Sequence, residues 1–338
     1  MNTASLRVVA AGPLVTFQDG GRLGHLRHGI PASGPMDRRA HAIANVVLGN
    51  PAAATAVEIS RAGASFECVG ASLTVAVVGG RFRTSVNGVA VGSDVAMTLG
   101  PGDQLVVAAG PSGSWAYLAV AGDLVASQWL GHTATHSLSG LGGGNVTAGL
   151  DVEVLATRAD PRVDGPVGVF AGNGLVDGAV RVVLGPQDHR FTAEALRHFV
   201  TVPFALTEGF DRMGVRLDGP QLDLDAALSI PSEPIVRGSV QVAGDGVATV
   251  LLADHQTTGG YPKIATVVSA DLDALCQLRP GDSVRFVPVT PTQAIVVARA
   301  RAAAFEKFLD SDLLATRRLA RRLTETDLIG DVGTDILG

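Results

Sequence analysis

The chain has 338 residues, 46% hydrophobic and 17% charged, with a formal net charge of −6; that length buries a substantial core and suits about two domains. The mild acidity is spread along the chain and excludes a sequence-independent grip on nucleic acid. Mean hydropathy is high at +0.31, yet Gly, Pro or a charge breaks every apolar run well short of the roughly 20 residues that a membrane helix needs. The first segment carries Arg7 and runs into Gln18-Asp19-Gly20 without the layout of a signal peptide. Cys68 and Cys276 are too few and too far apart for a disulfide framework or a CxxC element. A reducing, cytoplasmic setting is therefore expected, with no membrane partner. Only Lys263 and Lys307 represent lysine among 26 basic residues, which makes a lysine's position informative.

In chain order, Met36, Ala40, Ile43, Ala44 and Val47 recur at helical spacing, with Pro35 suited to the first turn, Asp37 to the positive end of the dipole and Gly49 to the close. Ser33 and Gly34 would expose amides at that helix N-terminus, either as an anion site or as ordinary capping. Short Val-rich runs follow at Ser72–Val78, Gln104–Ala108, Val180–Leu184, Ala248–Leu252 and Ser283–Val287, separated by Gly, Pro, Asp and Asn. That pattern belongs to sandwiches and barrels, not to alternating βα units. Leu99-Gly-Pro-Gly-Asp103-Gln-Leu105 is echoed by Leu278-Arg-Pro-Gly-Asp282-Ser-Val284, which fits either duplication or a recurrent turn. The Gly-rich stretch Ser139–Gly149 and the segment Asp160–Pro166 are the expected seam. A last helical stretch is read at Ala298–Glu325, with Phe305, Phe308, Leu309, Leu313 and Leu323 on its apolar side and Arg317, Arg318, Arg321 and Arg322 elsewhere.

The densest chemistry lies in Asp254-His-Gln-Thr-Thr-Gly-Gly-Tyr-Pro-Lys263. Gln256, Thr257, Thr258, Gly259, Gly260 and Tyr261 could set amides, hydroxyls and a phenol around a small polar or anionic substrate, although a tight inter-strand turn would use many of the same residue types. Tyr261 and Lys263 tilt the reading towards a site, since a turn needs neither. Asp211-Arg212 before Gly214 is the second candidate, a pair able to fix a substrate carboxylate or, equally, to tie down an edge strand. Gln187, in the polar turn Gly185-Pro-Gln-Asp188, is a third. His132 and His136 stand four apart in a Gly/Thr loop without a third ligand, so no metal is expected. The phosphate-loop pattern GxxxxGK[ST] and the GxSxG elbow do not occur.

Thr16-Phe-Gln-Asp19, Gly29-Ile-Pro-Ala-Ser-Gly-Pro-Met-Asp37, Ala44-Asn45 with Gly49-Asn-Pro51, Gly185-Pro-Gln-Asp188, Asp211-Arg-Met-Gly214 with Leu217-Asp-Gly-Pro220, and Leu251 to Ala265 together resemble one family. Its members are variously called the C subunit of 5-oxoprolinase, KipA, the second subunit of allophanate hydrolase, or the second half of the biotin-dependent carboxyltransferase domain of urea carboxylase. The resemblance covers roughly residues 7–290. It implies a mainly β fold with a few helices, built of cyclophilin-like β-barrel modules, two in tandem: an N-terminal module at 1–165, a related one at 166–292 and a helical extension at 293–338. It also implies a partner resembling the B subunit of 5-oxoprolinase or KipI, with the lactam-hydrolase A subunit as a further candidate. The expected activity is ATP-dependent opening of 5-oxoproline to glutamate, with ATP and Mg entering through the complex. The alternatives are an allophanate hydrolase or carboxyltransferase role, which alone would call for biotin, and a KipA-like role antagonising a kinase inhibitor. In that scheme Lys263, Asp254, Asp211 and Asp37 are the catalytic candidates, and Arg212, Gln256, Thr257, Thr258, Gly259, Gly260, Tyr261, Ser33 and Gln187 the substrate-binding ones. The chain departs from the family where relatives carry Gly-Ser-x-Ser-Thr, reading Gly131-His-Thr-Ala-Thr135.

Overall fold

In the computed structural model, which describes residues 4–225 and 230–313, the Val-rich runs pair into two sheets and one closed barrel. Seven strands, in the order Asp123–Leu124, Asp151–Leu155, Ala4–Ala11, Ala64–Gly70, Gln104–Ala108, Arg83–Val86 and Val89–Gly92, form the first sheet. Along Ala4–Ala11 the residues Ala4, Leu6 and Val8 turn inward while Arg7 and Val9 face water, the period-2 alternation of a sheet covered on one side. Six strands form the second sheet, in the order Gly165–Pro166, Val95–Leu99, Leu73–Val78, Trp115–Val120, Ala56–Ser60 and Thr16–Gln18. Its central strands Leu73–Val78 and Trp115–Val120 are buried throughout, because both faces are covered. One face meets the first sheet through Leu6, Phe66, Val75, Leu105 and Leu118. The other is covered by helix α1, Arg38–Val47, whose Ala40, Ile43, Ala44 and Val47 lie against Ala76, Val78, Tyr117 and Ala119.

Helix α1 starts later than its sequence suggests. Asp37 is the N-cap, with its Oδ1 accepting from the amides of Arg39 at 3.1 Å and Ala40 at 3.0 Å, so Pro35 lies outside the helix and not in its first turn.

The barrel runs Ala179–Leu184, Lys263–Val267, Ser239–Val242, Ala248–Leu251, Gly214–Asp218, Phe204–Phe210 and Ser283–Pro288, and closes through parallel pairing of the first and last of these. Val180, Phe204, Val215, Val240, Val250 and Phe286 are among the side chains that fill it, and Met36 and Trp115 of the N-terminal half join the same cluster. Helix α2, Ala193–Thr201, stacks Phe199 on Phe286 at 4.5 Å, and helix α3, Ser269–Cys276, packs Leu272 and Leu275 into the same cluster.

The two Pro-Gly-Asp echoes are the same turn in structure. Asp103 Oδ2 accepts from Gly100 N at 2.7 Å and Asp282 Oδ2 from Arg279 N at 2.8 Å, and Gly102 and Gly281 take φ of 87° and 91°, the left-handed region that favours glycine. The Gly-rich stretch 139–149 is no linker: Gly144 O accepts from Phe17 N, and Val146 N donates to Val15 O. Helix α4 runs Pro291–Lys307 behind a Thr290/Gln293 capping box, seven residues ahead of the expected start, and passes into a π turn at Phe308–Leu313. Leu323, Arg317, Arg318, Arg321 and Arg322 lie outside the described residues.

Candidate functional site

The chain bends out of the strand Ala248–Leu251 into the Asp254 loop directly above a buried ionic hub. Arg212, fully buried, donates through Nε to Asp254 Oδ2 at 2.9 Å and through Nη2 to Asp254 Oδ1 at 3.0 Å and Gly34 O at 2.7 Å, while its Nη1 pairs with Glu58 Oε1. Glu58 Oε2 in turn accepts from Met36 N at 2.7 Å and from the Tyr117 hydroxyl at 2.8 Å, and that hydroxyl accepts from Asp37 N at 2.7 Å. Ser137 N donates to Asp254 Oδ2 at 2.9 Å, which ties the 129–145 loop to the same carboxylate. Burial pushes the Asp254 carboxyl up, but the charge and hydrogen bonds of Arg212 outweigh it and hold the group below the usual carboxylate value. Burial likewise opposes the Arg212 charge, and Asp254 and Glu58 reverse the sign and raise its proton affinity.

With its Nε, its Nη2 and one face of Nη1 engaged by this chain's own groups, Arg212 presents no free fork to a substrate carboxylate. Asp254, ionised and bound on both oxygens, is equally ill placed to take a proton. The hub joins the second sheet, the Gly29–Asp37 segment and the barrel; holding them together is what its geometry does. Ser33 sits beside it, buried, at a φ of 52°, with its hydroxyl unpartnered among the described residues.

Outside the hub, the turn after Asp254 forms a two-stranded ribbon in which Gly259 pairs with Glu233 and Thr258 with Pro234. A side chain at Gly259 would meet Ile235 Cδ1 at 2.4 Å and Gln241 Nε2 at 2.9 Å and would have to push both side-chain ends aside. On one side of the ribbon Lys263 Nζ lies 3.4 Å from Glu233 Oε2, Gln187 Nε2 donates to the same oxygen at 2.6 Å, and Gln187 Oε1 accepts from Lys263 N at 3.1 Å. On the other, Gln256 Nε2 donates to Gln241 Oε1 at 3.1 Å, and Gln256, Gln241, Tyr261, Asp211, Met213 and Arg216 line a 370 Å³ groove. His255 Nδ1 stands 2.6 Å from Gln256 O; a carbonyl only accepts, so Nδ1 carries the proton, and burial lowers the ring's proton affinity.

The structure therefore brings Gln256, Tyr261 and Asp211 to one groove and Lys263 and Gln187 to one carboxylate. Thr257 faces the Gly29 segment, and Thr258 and Gly260 shape the ribbon. Asp211 closes its own turn, with Oδ1 accepting from Met213 N at 2.7 Å and Gly214 N at 3.2 Å. Asp37 stands apart as the α1 cap, its Oδ2 accepting from Gln277 at 2.9 Å. Its carboxylate occupies the helix N-terminus where Ser33 and Gly34 suggest an anion. Burial, and next Asp273, push the Asp37 carboxyl up to about 7. His132 and His136 diverge, one to Asp19 at 3.3 Å and the other to Ser139 at 2.8 Å.

Sequence reasoning misses Glu58, Tyr117, Glu233 and Arg22. Glu58 has a signal, a lone carboxylate between Val57 and Ile59 in an apolar strand. Arg22 has none: it is fully buried, stacked over Trp129 at 4.5 Å and held by the carbonyls of Trp129, Pro31 and Ala134.

Residues 28–288 match the family model described as "Carboxyltransferase domain, subdomain A and B". The C subunit of 5-oxoprolinase from Escherichia coli strain K12 is 31% identical over 308 residues, which cover 89% of this chain and 97% of that protein. Urea amidolyase of Saccharomyces cerevisiae is 26% identical over 358 residues, 98% of this chain but 19% of the amidolyase. The crystal structure of the Kluyveromyces lactis urea amidolyase superposes with a TM-score of 0.81 at 23% identity, over 93% of this chain and 20% of that one, a likeness of fold.

Proposed function

The chain belongs to the carboxyltransferase-domain family, subdomains A and B, and we propose that it acts as the C subunit of a heteromeric 5-oxoprolinase, opening the lactam of 5-oxoproline to glutamate in an ATP-dependent reaction. The observation that carries this reading is the near end-to-end match with the E. coli 5-oxoprolinase protein, where the amidolyase match fills only a fifth of the longer protein. A lactam is a poor electrophile, so ring opening needs its carbonyl activated and a charge offset nearby. Lys263, with Gln187 and Glu233, would supply that charge and its positioning, and Gln256, Thr257 and Tyr261 the polar contacts of the substrate.

ATP and Mg would enter through the complex. In this chain Arg212 and the α1 N-terminus, two of the anion-binding features suggested by the sequence, are filled by Asp254, Glu58 and Asp37, so no phosphate step is assigned to either of them. Leu23, Leu26, Leu130, Leu138 and Leu141 are exposed on the 23–26 and 130–141 loops flanking Arg22 and Ser137; they suit contact with a protein like the B subunit of 5-oxoprolinase or KipI, with the lactam-hydrolase A subunit completing a cytoplasmic complex. The test is co-expression with the cognate B and A proteins and assay of glutamate release that needs ATP and 5-oxoproline. Release equal to that of the A and B proteins alone would overturn the reading. A second reading, carboxyl transfer with biotin, is favoured by the amidolyase match over 98% of this chain; biotin-dependent carboxylation of urea by the reconstituted system would select it.

A further inference from the structure

A cleft of 240 Å³, room for about eight waters, is bordered by α1, α3 and α4, and Arg38, Arg39, Arg237, Ser269, Asp273 and Phe305 are among its lining residues. Three guanidinium groups meet one carboxylate there. Arg39 takes that carboxylate for itself: its Nε lies 3.4 Å from Asp273 Oδ2, and its Nη2 donates to Ala270 O at 3.1 Å. The other Asp273 oxygen accepts from the backbone amide of Arg38 at 3.3 Å. Asp271, the acid two residues earlier on α3, is bound through both oxygens by Arg181.

Arg237 and Arg38 are left without an acid of their own. Arg237 donates to Pro35 O at 3.1 Å, to Met36 O and to Cys276 Sγ at 3.5 Å. All three acceptors are neutral, since burial holds the Cys276 thiol up to about 11. The Arg38 side chain is exposed to the cleft, and its guanidinium has no hydrogen-bond or ion-pair partner among the described residues. The charge of Arg237, ahead of burial, brings the Arg38 guanidinium down to about 10. Two cations thus press on each other in a recess that water and small solutes can enter, and a counter-ion placed there relieves the repulsion.

We propose that this cleft binds a phosphate-type dianion, free or as the head of a small phosphomonoester, held by the planar fork of Arg38 in the field of Arg237. A dianion matches the two unpaired charges, and a guanidinium presents parallel donors to two of its oxygens. Ser269 adds a hydroxyl at the rim, while Ala298, Ala302, Leu272 and Phe305 supply apolar walls for the body of an ester. The site is independent of the oxoprolinase reading, because it shares no residue with the Lys263 or Gln256 groups.

Calorimetric titration of the full chain at about pH 8, where a phosphomonoester is a dianion, and at constant ionic strength tests it with inorganic phosphate, glycerol 3-phosphate and acetate in separate arms. Saturable binding is expected in at least one phosphate arm at a Kd of about 1 mM or below, with acetate at least about tenfold weaker; the tighter phosphate arm tells free ion from ester. Arg38→Gln should weaken binding by about tenfold or more, as loss of charged hydrogen bonds does, and Arg38→Lys should keep part of it, a point charge in place of a fork. Phosphate should raise the melting temperature of wild type and not that of Arg38→Gln, whose unliganded value should not fall, because the change removes a like charge from an exposed position. Arg83→Gln, exposed on the first sheet, should bind as wild type does. No saturation in either phosphate arm, acetate as tight as phosphate, or equal affinity in wild type and Arg38→Gln would overturn the proposal.

Discussion

Lys263 and Arg212 both pair with carboxylates, yet solvent separates their consequences. Removing Arg212 strands Glu58 and Asp254 as uncompensated charges with no exposure. Breaking such a buried pair costs about 3–5 kcal/mol, so Arg212→Met should lower the unfolding free energy by that amount in urea titration; a loss under about 1 kcal/mol, the range of exposed pairs, would show that the hub is not a brace. Lys263 faces Glu233, whose side chain is 44% exposed and rehydrates when the ammonium is removed. The Lys263 side chain is itself only 4% exposed, so Lys263→Ala also loses a packed stem. That change should cost about 1–2 kcal/mol of stability, less than the Arg212 change, while turnover of the assembled enzyme falls by about 10²–10³, the scale of a lost oxyanion donor. Lys263→Arg should recover only part of it, because a planar fork does not replace a point charge. Turnover near that of wild type in Lys263→Ala would remove this residue from the site. What the sequence shows at this scale is composition without partners: the scarcity of lysine marks Lys263, whereas Glu233 and Gln187 reach it only after the chain has folded back over 30 and 76 residues.

At the level of elements, local signals are readable and long-range ones are not. Val-rich runs and Pro-Gly-Asp turns carry their own geometry within a few residues, so five strands and both echoed turns stand where the pattern puts them. Helix α1 is legible in its apolar stripe but not in its start, because Asp37 can be either a first-turn acid or a cap, and tertiary contacts with Tyr117 and Gln277 decide. That cap has a pH signature. Its carboxyl is raised from 3.8 to about 7 in the fold, by burial first and Asp273 second. Between those values the native state holds more protons than the unfolded chain, so stability falls as pH rises through this window. Asp37→Asn keeps a side-chain acceptor for Arg39 and Ala40 and removes the ionisation. Urea midpoints at pH 4.5, 6 and 7.5 should accordingly decline less steeply in Asp37→Asn than in wild type; parallel slopes would mean that another group carries the dependence.

Across the whole molecule, buried contacts cross the division at 165/166 suggested by the tandem modules, and we expect the two halves to unfold together. Met36 and Trp115, from the N-terminal half, complete the barrel's apolar cluster. Gln277, at the end of α3, donates to Asp37 Oδ2 and Trp115 O and accepts from Ser114 N and Trp115 N. Arg237 donates to the carbonyls of Pro35 and Met36, and Arg212 reaches Glu58. Each half on its own would expose this apolar surface and lose these hydrogen bonds and ion pairs to water, against a total stability of only about 5–15 kcal/mol. We therefore expect one cooperative transition in scanning calorimetry, with calorimetric and van't Hoff enthalpies equal. The isolated 1–165 fragment should show neither a sigmoidal urea transition nor dispersed amide resonances. Two resolved transitions in the intact chain, or a well-dispersed spectrum from the fragment, would instead make each half a folding unit and reduce the Arg212 hub to a contact between finished domains.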